Sequence, residues 1–97
     1  MYKYEWRRFL KRIKDMVEPE FPEKFKKKVS HIKDNSMKEK VKKQIEKIIK
    51  NPETGKPMMH ERKGTREVRI HHFRLSYAYL KEENKIIFLD LYHKDEQ

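Results

Sequence analysis

The chain of 97 residues contains no cysteine and only two glycines. The lack of cysteine excludes disulfide bonds, thiolate catalysis and cysteine-ligated zinc, and nothing in the composition suggests secretion. No apolar run approaches the length of a transmembrane helix, and the N-terminus lacks the apolar core of a signal peptide. Together with the short length of the chain, these absences predict a cytoplasmic protein of one domain that is not embedded in a membrane.

Charge is abundant and unbalanced. Charged residues make up 43% of the chain, and 26 lysines and arginines against 16 acidic residues give a net charge of +10. Such an excess attracts polyanions through long-range attraction and counterion release. Nucleic acid, an acidic protein and an anionic membrane surface all fit. A thermophile surface rich in lysine and glutamate would explain the abundance of charge but not its imbalance.

Apolar residues at helical spacing dominate the first half of the chain. Residues 1–13 carry a stripe that predicts an amphipathic helix docked on the domain, with a membrane-surface helix as the alternative. Residues 21–50 carry two further stripes, which predict a helix pair. Ser36 and Glu39 resemble a capping box at the start of the second helix, and Asn51-Pro52 ends it. A short edge strand is expected near residues 14–18.

The hydrophobic period changes from 3.6 to 2 near residue 58. Residues 67–71 and 73–80 alternate between polar and apolar, residues 82–84 predict a hairpin turn, and residues 86–92 predict a well-buried strand. The predicted fold class is therefore α+β, with the helix pair packed on one face of a small antiparallel sheet.

Arginines cluster on the predicted strands, with Arg62, Arg66, Arg69 and Arg74 within thirteen residues. Arginine recognises phosphate bidentately, which lysine does not. The alternation places Arg69 and Arg74 opposite the apolar residues, on the open face of the sheet, with Arg62, Lys63 and Arg66 leading into that face. The alternative is an ordinary solvated sheet face, for which alternating charge is common.

Five histidines raise the question of a metal site. His71 and His72 are adjacent and point to opposite sides of a strand, and His31 and His60 have no partner at ligand spacing, so no metal site is predicted. His93 follows the last strand, and an imidazole suits general acid–base chemistry near neutral pH. A polar residue at a frayed terminus is the alternative.

Residues 21–97 resemble the RelE/ParE superfamily of toxins from toxin–antitoxin pairs. The resemblance is carried by the Asn-Pro, Gly, Lys-Pro junction at residues 51–57, by the paired strands at 66–70 and 73–77, and by the last strand at 86–94. It implies a RelE-like α+β fold in which residues 14–97 form a single domain and residues 1–13 are a helical extension.

The resemblance also implies an activity. A ribosome-dependent mRNA endonuclease of this kind needs neither a metal nor a cofactor, because the 2′-OH attacks the adjacent phosphate. Arg69 and Arg74 would hold the phosphate, and His93 and Glu67 would transfer protons. Its partners would be an acidic antitoxin, the ribosome and mRNA. Secondary contacts to RNA would come from four basic residues: Arg62, Lys63, Arg66 and Lys94.

Two departures from the superfamily pattern keep other functions open. Met58 stands where some members carry a catalytic glutamate, and no tyrosine follows His93. One alternative is a ParE-like toxin, which binds a DNA topoisomerase and has no catalytic activity of its own. Another is a degenerate relative that only pairs with an antitoxin.

Overall fold

The computed structural model describes residues 17–96. The helical extension predicted for residues 1–13 and the domain boundary at residue 14 therefore lie outside the described residues. Within the described part, no helix is long and apolar enough to cross a membrane. Short 3₁₀ turns lie at His60–Arg62, Lys81–Glu83 and Lys94–Glu96. The elements in chain order are β1 (Glu18–Glu20), α1 (Glu23–Ser30), α2 (Asn35–Lys50), β2 (Lys56–Pro57), β3 (Thr65–Ile70), β4 (Phe73–Leu80) and β5 (Lys85–His93).

The helix pair forms as the apolar spacing predicts. α1 buries Phe25 and Val29, which lie one turn apart on the same side, and α2 buries four aliphatic side chains along one face. The predicted capping box at Ser36 is wrong. Asp34 is the N-cap of α2, because its carboxylate accepts a hydrogen bond of 2.9 Å from the Ser36 amide. An aspartate in this position satisfies an amide that has no partner within the helix.

The five strands form one sheet in the order β1-β5-β4-β3-β2. The strands from β2 to β5 pair antiparallel as predicted, but β1 runs parallel to β5, so the sheet is mixed. The short turns within β3-β4-β5 can only reverse the chain, whereas the helix pair separates β1 from the other strands and leaves its direction open. β1 spans Glu18–Glu20, so it begins at the last residue of the predicted range.

A β-bulge interrupts the pairing of β4 with β5. Ser76 pairs with Asp90 and Tyr77 pairs with Phe88, so Leu89 is an extra residue in β5. An extra residue reverses the alternation of side chains beyond it. Phe88 and Leu91 consequently face the same side, and both are buried.

The hydrophobic core lies between the helices and one face of the sheet. Phe88 of β5 is at its centre, with its ring stacked on Phe21 at a centroid distance of 4.9 Å. The rings of Phe25 and Tyr77 lie at 5.5 and 6.1 Å from the same ring. The opposite face, called the open face below, carries the side chains of Glu67, Arg69, Arg74, Ser76 and Tyr92.

Candidate binding face

The open face has two arginines side by side. Arg69 of β3 pairs directly with Arg74 of β4, and Tyr92 of β5 continues the same row. Residues opposite each other on neighbouring strands point the same way, with Cβ atoms about 5 Å apart. Arg69 is exposed and Arg74 is half-buried. The shared face of the two arginines is the one that the alternation predicts.

The two guanidinium groups are held differently. Nη1 of Arg74 donates to the carbonyl oxygens of Phe73 at 3.0 Å and His71 at 3.2 Å, which orients the side chain along the β3-β4 turn. The guanidinium group of Arg69 makes no hydrogen bond or ion pair with any residue between 17 and 96. Like charges directly opposite each other destabilise a sheet. This arrangement therefore suits an anionic ligand that bridges the pair.

Glu67 is engaged in a cluster at the side of this pair. Its carboxylate accepts a hydrogen bond from the Tyr92 hydroxyl and lies 3.6 Å from Nη1 of Arg62. Arg62 also donates a hydrogen bond of 3.1 Å to the Tyr92 hydroxyl oxygen. This hydrogen bond is the main reason that the pKa of Arg62 lies above its ordinary value. The cluster draws the His60–Arg62 turn across the open face, so Tyr92 is only 8% exposed there.

A groove runs along the open face beside this cluster. It has a volume of about 510 Å³ and brings cationic side chains together with the thioethers of two methionines. Met59 is 72% exposed, which is unusual for so large an apolar side chain. The lining residues are Lys56, Pro57, Met58, Met59, His60, Glu67, Val68, Arg69 and Arg74.

Arg66 lies on the other side of the sheet from Arg69. It pairs with Tyr77 and donates from Nη1 to the carbonyl oxygens of Gly55 at 2.8 Å and Glu53 at 3.1 Å. The Tyr77 hydroxyl donates to Pro52 at 2.7 Å and accepts from the Gly55 amide at 2.8 Å. Arg66 and Tyr77 thus fasten the loop that follows α2, and Arg66 does not lead into the open face as expected.

His93 also faces away from the two arginines. It pairs with Phe73, on the helix side, whereas Tyr92 pairs with Arg74. The bulge at Leu89 is the cause, because strict alternation from Phe88 would have turned His93 to the open face. Its ring lies 5.9 Å from that of His72, and its Nδ1 accepts from the Asp95 amide at 3.2 Å.

The structure therefore brings together Arg69, Arg74, Glu67 and Arg62 of the predicted site, but not His93 or Arg66. Lys63 follows Arg62 on the exposed turn, and Lys94 is exposed beyond β5. Sequence reasoning missed Lys56, His60 and Tyr92. Of these three, only Tyr92 could have been found from the sequence. Asp90 interrupts the apolar run of residues 86–92, and such an interruption can indicate a β-bulge, beyond which the side chains change faces.

Comparisons with known proteins agree with this fold. The free-state structure of an E. coli RelE mutant matches with a TM-score of 0.69 and 13% identity. The match covers 84% of this chain and 87% of the RelE chain. A chain of a RelBE toxin–antitoxin complex from Mycobacterium tuberculosis matches with a TM-score of 0.63 and 18% identity. The match covers 80% of this chain and 98% of the M. tuberculosis chain. A chain of the intact E. coli RelBE complex matches with a TM-score of 0.67 and 14% identity, and the match covers 77% of this chain and 93% of the E. coli chain. At these identities the likeness concerns the fold.

No curated protein matches the chain. A family model does, and it is described as the ParE toxin of the type II toxin–antitoxin system, parDE. The match extends over residues 7–97, which is nearly the whole chain, and it confirms the resemblance found in the sequence. The chain therefore belongs to the ParE toxin family of type II toxin–antitoxin systems, within the RelE/ParE superfamily.

Proposed function

We propose that this toxin acts by binding a target protein through the open face, and that it does not cleave RNA. The observation that carries the proposal is the separation of His93 from the arginine pair by the β5 bulge. Following the ParE-like alternative, the proposed target is a DNA topoisomerase, which would place the toxin's action in the cytoplasm.

The separation of these groups matters for catalysis. A general acid or base must lie within hydrogen-bond reach of the proton that it transfers. A phosphate held between Arg69 and Arg74 would lie on one face of the sheet, and the imidazole of His93 lies on the other. Glu67, the second predicted proton-transfer group, already accepts from Tyr92 and lies beside Arg62. The open face thus offers charge without an available acid–base pair among the predicted residues.

The same face suits protein binding. Exposed methionine is adaptable and is favoured at binding surfaces, and arginine is enriched in interfaces. Met59, Arg69 and Arg74 line one groove, so an acidic and partly apolar surface is the matching partner chemistry. We also propose an acidic antitoxin as the regulatory partner. The RelE relatives from M. tuberculosis and E. coli have been crystallised as complexes with their antitoxins.

RNA cleavage is the second candidate function, and one observation favours it. His60 lines the same groove as Arg69 and Arg74, so an imidazole other than His93 does lie on the open face. In that case the groove would bind the mRNA backbone, and His60 would take the proton-transfer role.

The experiment compares both activities of the purified full chain. One assay follows supercoiling by a DNA topoisomerase, and the other follows cleavage of mRNA on ribosomes. We expect inhibition of the topoisomerase and no cleavage, with inhibition lost in the Arg69→Gln/Arg74→Gln variant and retained in His93→Gln. The Lys24→Gln/Lys27→Gln variant is the matched control, because it removes the same charge from exposed positions of α1. Ribosome-dependent cleavage that disappears in His60→Gln would replace the binding function with the nuclease.

A further inference from the structure

Four exposed lysines form a straight row along α2. Successive members are three or four residues apart, so their side chains lie on one face of the helix. At 1.5 Å per residue, the row is about 15 Å long. The members of this lysine row are Lys40, Lys43, Lys47 and Lys50.

The lysine row differs from the lysines at the other side of the molecule in how its charge is balanced. Three lysines of α1 and β5 each form an ion pair: Lys26 with Glu23 at 3.5 Å, Lys28 with Asp90 at 2.9 Å and Lys85 with Glu20 at 3.1 Å. Within the part of the chain that the structure describes, Lys43, Lys47 and Lys50 form no ion pair. Like charges at this spacing destabilise a helix, and a polyanion would relieve their repulsion.

The positive surface continues from α2 onto the sheet. A groove of about 290 Å³ separates α2 from β3, and its lining residues include no carboxylate. They are Lys40, Lys43, Gln44, Arg69, Ile70 and His71. Arg69 also lines the groove of the open face, so one arginine belongs to both surfaces. A continuous cationic surface therefore extends from the lysine row to the open face.

We propose that the lysine row binds the phosphate backbone of duplex DNA, and that Arg69 lies where the bound DNA meets the open face. The proposal rests on the proposed function only for the source of this DNA, which is the substrate held by the topoisomerase.

The charge density of the row matches that of DNA. Each strand carries one phosphate per about 3.4 Å of helix axis, so a row of about 15 Å spans about four phosphates, one for each lysine. The ammonium group is a compact charge on a flexible stem, and it needs no fixed geometry to contact a phosphate. Contacts to the backbone carry no sequence information, so binding should be independent of DNA sequence.

Other polyanions fit the row less well. A helix that binds an anionic membrane inserts large apolar side chains beside its charges. Among the described residues, the exposed large apolar side chains are Met59 and Leu89, and neither belongs to α2. A flexible acidic peptide loses conformational entropy when it is ordered along the row, whereas duplex DNA is stiff and already holds its charges in line.

The position of Arg69 has a consequence for target binding. Toxin that is bound to DNA through the lysine row presents its open face beside that DNA. A topoisomerase engaged with the same DNA can then be contacted by the open face. Two linked contacts bind more tightly than either alone, because the second becomes intramolecular. The lysine row should thus direct the toxin to topoisomerase molecules that hold DNA.

The first experiment measures binding of the full chain to a fluorescein-labelled DNA duplex of mixed sequence, by anisotropy over a range of salt concentrations. Each phosphate contact contributes about 0.9 to the slope of log affinity against log salt concentration. Lys43→Gln/Lys47→Gln/Lys50→Gln should therefore lower the slope by about 2–3 and weaken binding about tenfold or more. Glutamine keeps the helix propensity of lysine, and an unchanged circular dichroism spectrum checks the fold.

Two further triple variants serve as controls. Replacement of the same three lysines by arginine keeps the charge and should retain binding. Lys24→Gln/Lys27→Gln/Lys33→Gln removes an equal charge from exposed positions of α1 and the following loop, and it should change the slope by less than about 1. Equal losses in the two glutamine variants would overturn the proposal, because net charge alone would then explain binding.

The choice of DNA is tested with two other polyanions. An RNA duplex of the same sequence, or vesicles containing phosphatidylglycerol, should bind no more tightly than the DNA duplex. Tighter binding of either one that is lost in Lys43→Gln/Lys47→Gln/Lys50→Gln would overturn the proposal and assign the lysine row to that ligand.

A second experiment connects the row to the target. The lysine-to-glutamine variant of the row should bind the DNA-free topoisomerase as the wild type does, but it should bind the topoisomerase–DNA complex about tenfold more weakly. Equal binding of the two proteins to that complex would overturn the joint contact. Failure of the wild type to bind any topoisomerase would contradict the proposed function, whereas lysine-dependent binding to the DNA duplex would still stand.

Discussion

The Tyr77 hydroxyl accepts a hydrogen bond of 2.8 Å from the Gly55 amide and so ties the loop after α2 to the centre of the sheet. A Cβ atom added to Gly55 would lie 2.7 Å from the Tyr77 oxygen and 2.9 Å from its Cε1. Neither atom can move far, because Tyr77 is fully buried. Gly55→Ala should therefore lower the free energy of unfolding by about 2 kcal/mol, measured by urea denaturation. Glu53→Ala, at an exposed position of the same loop, should change it by less than about 0.5 kcal/mol. Equal effects would contradict the tight contact.

Tyr77 should also give stability a dependence on alkaline pH. Burial raises the pKa of Tyr77 above its ordinary value of 10.0. The unfolded chain ionises this group first, so its contribution is complete below pH 10 and is lost as the pH rises further. Between pH 8 and pH 11 the wild type should lose about 1 kcal/mol more stability than Tyr77→Phe. Tyr79→Phe, used as the control, should lose stability as the wild type does. A Tyr77→Phe profile that parallels the wild type would disprove this.

Arg66 and Arg69 lie only three positions apart, but their substitution should have opposite effects on stability and on toxicity. Arg66→Ala removes two hydrogen bonds to the loop carbonyls, and because the side chain is partly exposed the expected cost is about 1–2 kcal/mol. Arg69→Ala should leave the melting temperature unchanged or raise it slightly, since it relieves the repulsion from Arg74. Growth inhibition by the expressed toxin should fall in Arg69→Ala. A stability loss at Arg69 as large as that at Arg66 would mean that both are structural.

The N-terminus of α2 offers a comparison between two neighbouring polar residues. Asp34 is the N-cap, so Asp34→Ala should cost about 1 kcal/mol in thermal unfolding. Ser36 supplies only its backbone amide to that cap, so Ser36→Ala should cost no more than a few tenths of a kcal/mol. The reverse order would restore the capping box that the sequence predicts.

Much of the fold follows from the hydrophobic period. The alternation of polar and apolar residues at 73–80 predicts the bounds of β4 that the structure shows. It also places the side chains of Arg74 and Leu75 on opposite faces of the sheet. The helix pair follows equally from its apolar stripes. These features depend on local spacing, which a single sequence displays directly.

The features that could not be predicted from the sequence are those that depend on contacts between residues far apart in the chain. The parallel pairing of β1 with β5 joins residues that lie far apart, and no local pattern encodes it. The position of His93 depends on one extra residue in β5, and the apolar run around Leu89 conceals which residue is extra. The loop-fastening role of Arg66 depends on the carbonyl groups of residues 53 and 55, which only the folded chain brings near it.

The place of β5 within the sheet has a consequence for how the toxin is made. β5 lies between β1 and β4, and its Phe88 provides the ring on which Phe21 stacks. On the ribosome, β1 and the helix pair emerge before β5. Until residues 85–93 follow, β1 lacks its neighbouring strand and Phe21 lacks the ring on which it stacks. A nascent chain that ends at Asn84 should therefore show no cooperative unfolding, as judged by pulse proteolysis. The toxic fold would then form only after β5 has been made, so that translation interrupted before residue 85 leaves fragments without that fold.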